Sequence, residues 1–377
     1  MSALILTSVL GVLVLYLGLF GRKEWLAPVG VLGLLGAIAL LAFDGRWTDL
    51  AQFHHMIRFD GPAVLFGMGL LALTALIFLF GVDYYARETD NVAEQYALMI
   101  FSVTGALVLV SYTNLLMLFL GIEVLSIPLY ILAGAKKRSY RSGEASFKYF
   151  LLGSFASAFL LMGIALMYGV CGSFELEKIA AVVAQGTEPA LLLMGGFFVL
   201  IGLTFKVAAV PFHFWSPDVY EGAPTLVTTF MATVVKMAAF AALLRLVLLG
   251  GLPADLGYAL LGITAITLLV GNLIAVVQER FKRLMAYSSV AHSGFLLMAV
   301  LSGGAEVPQA LFYYTFTYGL ATLGLFMLMT IAKRAAKGIE QGEREAVRMG
   351  HGEHRFIRGG VRPEAHVQRR GIGDAHA

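Results

Sequence analysis

Glu123, Lys148, Lys206, His213 and Lys236 are titratable residues set in or beside long apolar runs of this sequence. An ammonium or carboxylate at membrane depth costs about 2.5–3.5 kcal/mol on insertion scales, so such a group is rarely kept without a use. Lys206 stands five residues before Pro211, within the stretch GLTFKVAAVPFHFWSPDVYEGAPTLVTTFMATVVK that runs from Gly202 to Lys236. A proline removes a backbone donor and breaks the helix behind it, which hydrocarbon tolerates only where protein or water takes up the freed groups. A broken helix exposes carbonyls and a dipole end beside the lysine, as in the ion sites of transporters. Snorkelling to the interface is the competing reading, because Lys206 lies near the end of its apolar run. Lys236 has no such escape, since it sits near the centre of the next run. A lysine held there can take up and release a proton. The stretch reads as an ion pathway.

The other candidates carry their own alternatives. Glu123 lies in the middle of LFLGIEVLSIPLYIL, with Pro128 five residues on. It either hydrogen-bonds two helices together or exchanges protons and pairs with a cation. Lys148 falls one turn into its own apolar run, near a basic loop, where snorkelling and function are equally open. His213, between Phe212 and Phe214, is a proton relay or an interfacial aromatic neighbour. His292, in AYSSVAHSGF, has hydroxyls around it that could satisfy a plain buried imidazole. Trp215, Asp218 and Glu221 read as solvated charges with an aromatic anchor at the mouth of the pathway.

Positioning these residues is a task for helices in a bilayer. Of 377 residues, 59% are hydrophobic and 14% charged, against about 45–50% and about 25% in soluble domains, so the chain is an integral membrane protein. The net charge of +3 gives no argument for nucleic acid. The one cysteine, Cys171, excludes a disulfide within the chain, a cysteine-ligated cluster and any CxxC motif. The first apolar run lacks a basic leader and reads as a retained helix. At about 20 residues per span, the sequence predicts helices over Ser2–Phe20, Trp25–Phe43, Gly61–Val82, Tyr96–Val110, Asn114–Gly134 and Ala145–Tyr168. Further spans are predicted over Ala190–Val210, Thr225–Leu249, Leu256–Val277, Leu284–Leu301 and Gln309–Ile331, with the fourth and fifth nearly fused. Apolar residues at Leu176, Ile179, Ala180 and Val183 predict a short amphipathic helix over Phe174–Gln185, lying on the outer face of the membrane.

Loop charge sets the orientation. Arg22 and Lys23, then Lys136, Lys137, Arg138 and Arg141, then Arg280, Lys282 and Arg283, then Lys333 and Arg334 follow the first, fifth, ninth and last spans. The positive-inside rule puts these loops in the cytoplasm and the N-terminus outside. From about Ala335 the chain turns polar, rich in Arg, Gly, Glu and His, with His351, His354, His366 and His376. It is predicted to be disordered or loosely helical, and its histidines show no metal-binding spacing. No dinucleotide fingerprint, P-loop, haem motif or cluster motif occurs. The chain on its own therefore has nothing with which to carry electrons or hydrolyse a nucleotide, and an ion movement must draw on a gradient or a partner.

GIEVLSIPLYIL, FKVAAVPFHFWSPDVYEGAPT followed by MATVVKMAAF, and QERFKRLMAYSSVAHSGF resemble the subunit N family of bacterial proton-pumping NADH–quinone oxidoreductase, respiratory complex I. The resemblance covers about Glu94 to Thr330, and more loosely the first three helices. It implies an all-α polytopic fold built of inverted five-helix repeats, each with one broken helix, here near Lys206–Pro211. It divides the chain into a three-helix segment (1–93), a first antiporter-like repeat (94–250), a partial second repeat (251–334) and a polar non-family tail (335–377). It also implies that Glu123 pairs with Lys206, that Lys236 carries protons along the central axis, and that Lys148 is the further lysine of the sixth helix. The chain itself would bind no metal or cofactor; NADH and quinone would be used by the assembled complex. Its partners would be the other membrane subunits, the lipid bilayer and protons, in a bacterial inner membrane. Relatives continue through three more helices, and the tail looks like out-of-frame translation of a GC-rich gene. A subunit of a multisubunit cation/proton antiporter or membrane hydrogenase is the alternative, and a non-pumping structural subunit is another.

Overall fold

In hydrocarbon a helix alone satisfies its backbone polar groups within one segment, and among the described residues the apolar runs are helical except for the break after Lys206. The computed structural model describes residues 1–21, 23–44, 56–88, 91–185, 190–250, 252–253 and 255–358. Arg22, His366 and His376 lie outside them. The first six helices are α1 (Ser2–Leu19), α2 (Lys23–Asp44), α3 (Gly61–Glu88), α4 (Val92–Ser111), α5 (Leu115–Ala133) and α6 (Tyr140–Cys171). The short α7 (Leu176–Val183) follows, with Leu176 and Ile179 buried, as its periodicity predicts. Then come α8 (Ala190–Lys206), α9 (Trp215–Gly222), α10 (Thr225–Phe230) and α11 (Lys236–Leu248), the last two joined by a π-helical turn, Met231–Val235. α12 (Leu256–Val276), α13 (Phe281–Ser302) and α14 (Val307–Arg358) complete the described chain. Ten helices among the described residues are long and apolar enough to span, and Ala190–Lys206 is a shorter apolar helix beside them. That agrees with the expected eleven. The tail is helical as far as Arg358. Met1–Phe326 forms one compact unit and the chain from Met327 another.

The doubtful boundary between the fourth and fifth spans is settled by a cap. Asn114 Oδ1 accepts from the Leu116 amide at 2.9 Å, which starts α5 afresh after the extended Tyr112–Asn114. The centre of the compact unit is the run from α10 through α11, in which every residue from Leu226 to Leu246 is buried. α6 packs against α8 at backbone distance: a Cβ on Gly163 would meet the Gly195 carbonyl oxygen at 2.6 Å. Close approach of this kind is how spanning helices associate without a hydrophobic driving force.

The connections sort into two ends of the bundle. At one end, single β-bridges pair Ile57 with Tyr112 and Asn114 with Glu175, joining the segments after α2, α4 and α6. Arg245, in the last turn of α11, closes the same end by binding both Asp60 oxygens, at 3.0 and 2.8 Å. At the other end Arg141 and Lys148 of α6 meet Asp218 and Glu221 of α9 and Arg280 and Arg283 at the start of α13. The basic loops after α5 and α12 thus share one end, the alternation predicted from loop charge.

Candidate functional site

α8 stops at Lys206, and the next eight residues are not a continuous helix. Ala208 adopts the left-handed region, with φ +57°, and the Val210–Pro211 peptide is cis. The backbone groups freed here find partners. Thr267 Oγ1 accepts from the Val210 amide at 3.0 Å, and Ser293 Oγ donates to the Val207 carbonyl at 2.6 Å. Trp215 Nε1 donates to the Phe205 carbonyl at 2.9 Å. α12, α13 and α9 each supply one of these groups, which is how an irregular segment survives at membrane depth. Lys206 is the last residue of α8, where the helix dipole favours a cation.

The Lys206 ammonium is buried and has no hydrogen-bond partner. The expected pairing with Glu123 is not a contact: Glu123 instead accepts from the Ser157 hydroxyl of α6. Its charge reaches Lys206 only through space. What surrounds the amine is aromatic. Nζ lies 5.7 Å from the Tyr130 ring centroid, 5.6 Å from that of Tyr149 and 6.0 Å from that of Phe205. Snorkelling is ruled out for this lysine by its burial.

Lys236 follows the π-helical turn directly, and such turns recur at functional positions. It is buried, donates to Ser289 Oγ at 2.6 Å and to the Ser289 carbonyl, and stands 5.2 Å from the Tyr318 ring centroid. His292, one turn on from Ser289 along α13, bonds Tyr314 of α14 through Nδ1 at 2.7 Å. Its partner is thus a tyrosine of another helix, while Ser289 and Ser293 of its own segment are engaged by Lys236 and the Val207 carbonyl.

Lys148 does not join this buried group. It is half-exposed and paired with Glu144 at 2.8 Å and Asp218 at 2.7 Å. Burial alone would raise the Asp218 carboxyl, but hydrogen bonds from Lys148 and Arg283 outweigh it and hold the group below the usual carboxylate range. Glu221 extends the network to Arg280, Arg283 and Arg141. Asp218 and Glu221, expected as freely solvated charges, are therefore the acidic hub of an ion cluster. Trp215, expected as an interfacial anchor, is buried and stacked on Tyr149, with ring centroids 4.7 Å apart. His213 is buried beside Phe214 and Tyr287, and its Nδ1 has no partner.

Ser157, Tyr130 and Arg245 are among the residues that escaped the sequence reading. Nothing in the segment around Ser157 marks it as the partner of Glu123. Tyr130 is seven residues after Glu123, two turns along the same face, and that spacing was the available signal. Arg245, an arginine inside an apolar run, carried the same signal as Lys236.

The sequence matches the family described as NADH:quinone oxidoreductase/Mrp antiporter, TM, over residues 112–348. It is 39% identical over 337 residues to NADH-quinone oxidoreductase subunit N of Cytophaga hutchinsonii, covering 89% of this chain and 73% of that protein. It is 49% identical over 352 residues to the subunit N of Beutenbergia cavernae, covering 83% of this chain and 66% of that one. The structure is similar to a chain of respiratory complex I from Thermus thermophilus with bound aureothin, at 38% identity and a TM-score of 0.74, over 87% of this chain and 70% of that one.

Proposed function

The chain belongs to the NADH:quinone oxidoreductase/Mrp antiporter family as a relative of subunit N, and from that premise we propose how it moves protons. It is a multi-pass membrane subunit of the NADH–quinone oxidoreductase complex, whose assembled form uses NADH and quinone. This chain's part is translocation without redox chemistry of its own. Glu123, Lys206 and Lys236 carry the pathway, with His213 beside its broken segment and Lys148 at its mouth. Residues 94–250 form the first antiporter-like repeat and 251–334 part of the second, after the three-helix segment 1–93, and the family match runs on to residue 348. The N-terminus faces outward from the bacterial inner membrane and the ion cluster faces the cytoplasm, in line with loop charge.

The single observation behind this reading is a pair of buried lysines at the two irregular points of the core, the break after α8 and the π-helical turn before α11. Quinone reduction elsewhere in the complex changes the field at Glu123. The Lys206 ammonium gives up a proton, and the neutral Lys236 amine accepts one and donates to Ser289. Lys206 then takes a proton from water on the cytoplasmic side and Lys236 gives one up to water on the other, so for each proton moved every N–H or O–H bond broken is matched by one formed. The expected outcome for Lys236→Met is complex of normal abundance whose NADH-driven proton uptake into proteoliposomes falls at least about a hundredfold, the lower end of the scale of one lost proton-transfer group. A structural, non-pumping subunit would survive that change, so unaltered uptake in well-assembled Lys236→Met complex refutes the reading.

A further inference from the structure

We propose that Tyr130 and Tyr149 are positioning residues that hold Lys206 in its cationic state through the faces of their rings and not through their hydroxyls. The inference rests on Lys206 being a proton carrier, as read above.

Lys206 Nζ has no hydrogen-bond acceptor, yet both tyrosine rings lie within 5.7 Å of it, centroid to nitrogen. A desolvated ammonium within about 6 Å of a ring face is attracted by the ring quadrupole. The rings belong to different helices and are fixed against each other. Tyr130 of α5 and Tyr149 of α6 meet edge to face, with centroids 4.8 Å apart and planes at 86°. Tyr149 then stacks on Trp215 with planes 13° apart, and Trp215 is bonded to the carbonyl of Phe205, the residue before the lysine. The cage therefore spans the break between α8 and α9.

The hydroxyls do not explain why these residues are tyrosines held at such positions. The Tyr130 hydroxyl, near Ser126, makes no well-formed hydrogen bond, and that of Tyr149 makes none either. Space has been left for the Tyr130 ring: a Cβ on Gly153 would come within 2.2 Å of its hydroxyl oxygen. Glu123 makes no hydrogen bond to the amine and accepts from Ser157 instead, so its charge acts on Lys206 only through space.

A neutral cage has a consequence that an ion pair lacks. The ring faces attract the ammonium, and that attraction disappears when the nitrogen loses its proton. Release then breaks no hydrogen-bonded ion pair, the step that is costly in a buried site, and Glu123 keeps its bond from Ser157. The cage holds the carrier while it is charged and lets it go once it is neutral.

The test uses complex assembled with variants of this chain, reconstituted in proteoliposomes, and reads protons taken up per NADH oxidised. Tyr130→Phe and Tyr149→Phe should keep the ratio, because the rings remain. Tyr130→Leu and Tyr149→Leu should each lower it by up to about thirtyfold, the size of one desolvated cation–π contact. Gly153→Ala should resemble Tyr130→Leu, since it displaces the ring without removing it. Phenylalanines carrying one, two and three fluorines at 130 or 149 drain charge from the ring face at nearly constant shape, and the ratio should fall with each fluorine. A flat fluorine series overturns the proposal, whether or not the leucine variants assemble. Phenylalanine variants as impaired as leucine ones would make the hydroxyl the working group and overturn it equally. Lys206→Leu separates the two levels: if that variant pumps normally, the proton-carrier reading falls; if it does not and the fluorine series is flat, the cage alone falls.

Discussion

Asp60→Asn removes one charge and little else, which makes it a sharp probe of the latch at the end of the bundle opposite the ion cluster. The Arg245 side chain is 7% exposed and Asp60 34%. Besides the two bonds to Asp60, Arg245 donates to the Tyr112 carbonyl and, at 3.3 Å, to the Arg58 carbonyl. Two connections, α2–α3 and α4–α5, are thus tied to one guanidinium. Breaking a buried pair by removing one partner costs about 3–5 kcal/mol. Asp60 is a third exposed and water can approach the orphaned guanidinium from its side, so about 2 kcal/mol is the expected loss. Asparagine keeps the oxygen that accepts from the Ala63 amide at 3.0 Å at the start of α3, whereas Asp60→Ala loses that cap for about 1 kcal/mol more. Arg245→Met in the Asp60→Asn background should recover about half of the loss, because no buried charge is then left over. Unfolding in mixed detergent micelles would be followed for the three variants and the parent. A loss under about 0.5 kcal/mol for Asp60→Asn, within the range of an ordinary surface change, refutes the argument that this pair holds the connections together.

Three further outcomes follow from the other end and from the core. Asp218→Asn should cost about 1 kcal/mol at neutral pH, a figure already reduced for the solvent exposure of its partners. Its carboxyl is held low, so its contribution is present above the unfolded value of about 3.9 and is lost as pH falls through the lower folded value; variant and parent should therefore converge in urea titrations below about pH 3 and diverge above about pH 5. Ser157→Ala should reduce proton uptake less than Glu123→Gln does, since only the second removes the charge that acts on Lys206; equal effects would make the bond, and not the charge, the functional element. A cysteine placed between Lys136 and Arg141 in a background lacking Cys171 should react only with reagent on the cytoplasmic side, and labelling from outside would invert the orientation.

What could be read in the sequence were properties of single segments. Apolar length gave the spans, Pro211 the break after Lys206, and apolar spacing the short helix at Leu176–Val183. The alternation of basic loops was legible because it depends on charge along the chain alone. Properties belonging to two segments were not. Arg245 and Asp60 are 185 positions apart, and Glu123 and Ser157 are 34 apart; no local pattern links either pair. Trp215 followed a break and looked interfacial, but the break folds it back beneath α8 against Tyr149. The π-helical turn before Lys236 leaves no mark in MATVV, since one extra residue per turn comes from packing and not from propensity.

The two lysines of the proposed pathway answer the same problem by opposite means, and the difference bears on how a proton passes between them. Lys206 ends a helix, so carbonyls and the negative end of the dipole lie close by, and rings supply the rest without a single hydrogen bond. Lys236 lies inside a helical run with no free end to use, and its ammonium depends on Ser289 as acceptor. A hydroxyl can turn to donate to a neutral amine as readily as it accepts from an ammonium. Ser289 Oγ can thus serve both states of Lys236, while the tyrosine rings serve only the charged state of Lys206. A proton leaving Lys206 loses its holder behind it, and one arriving at Lys236 finds an acceptor already in place. On these grounds Ser289→Ala should leave Lys206 loaded and impair the step between the lysines, lowering proton uptake at saturating NADH by about a hundredfold, the lower end of one proton-transfer contribution. Ser289→Thr, which restores a hydroxyl, should recover most of it. Failure of threonine to rescue, with the variant assembled at normal levels, would show that Ser289 acts by packing and that the contrast between the two sites has no part in transfer.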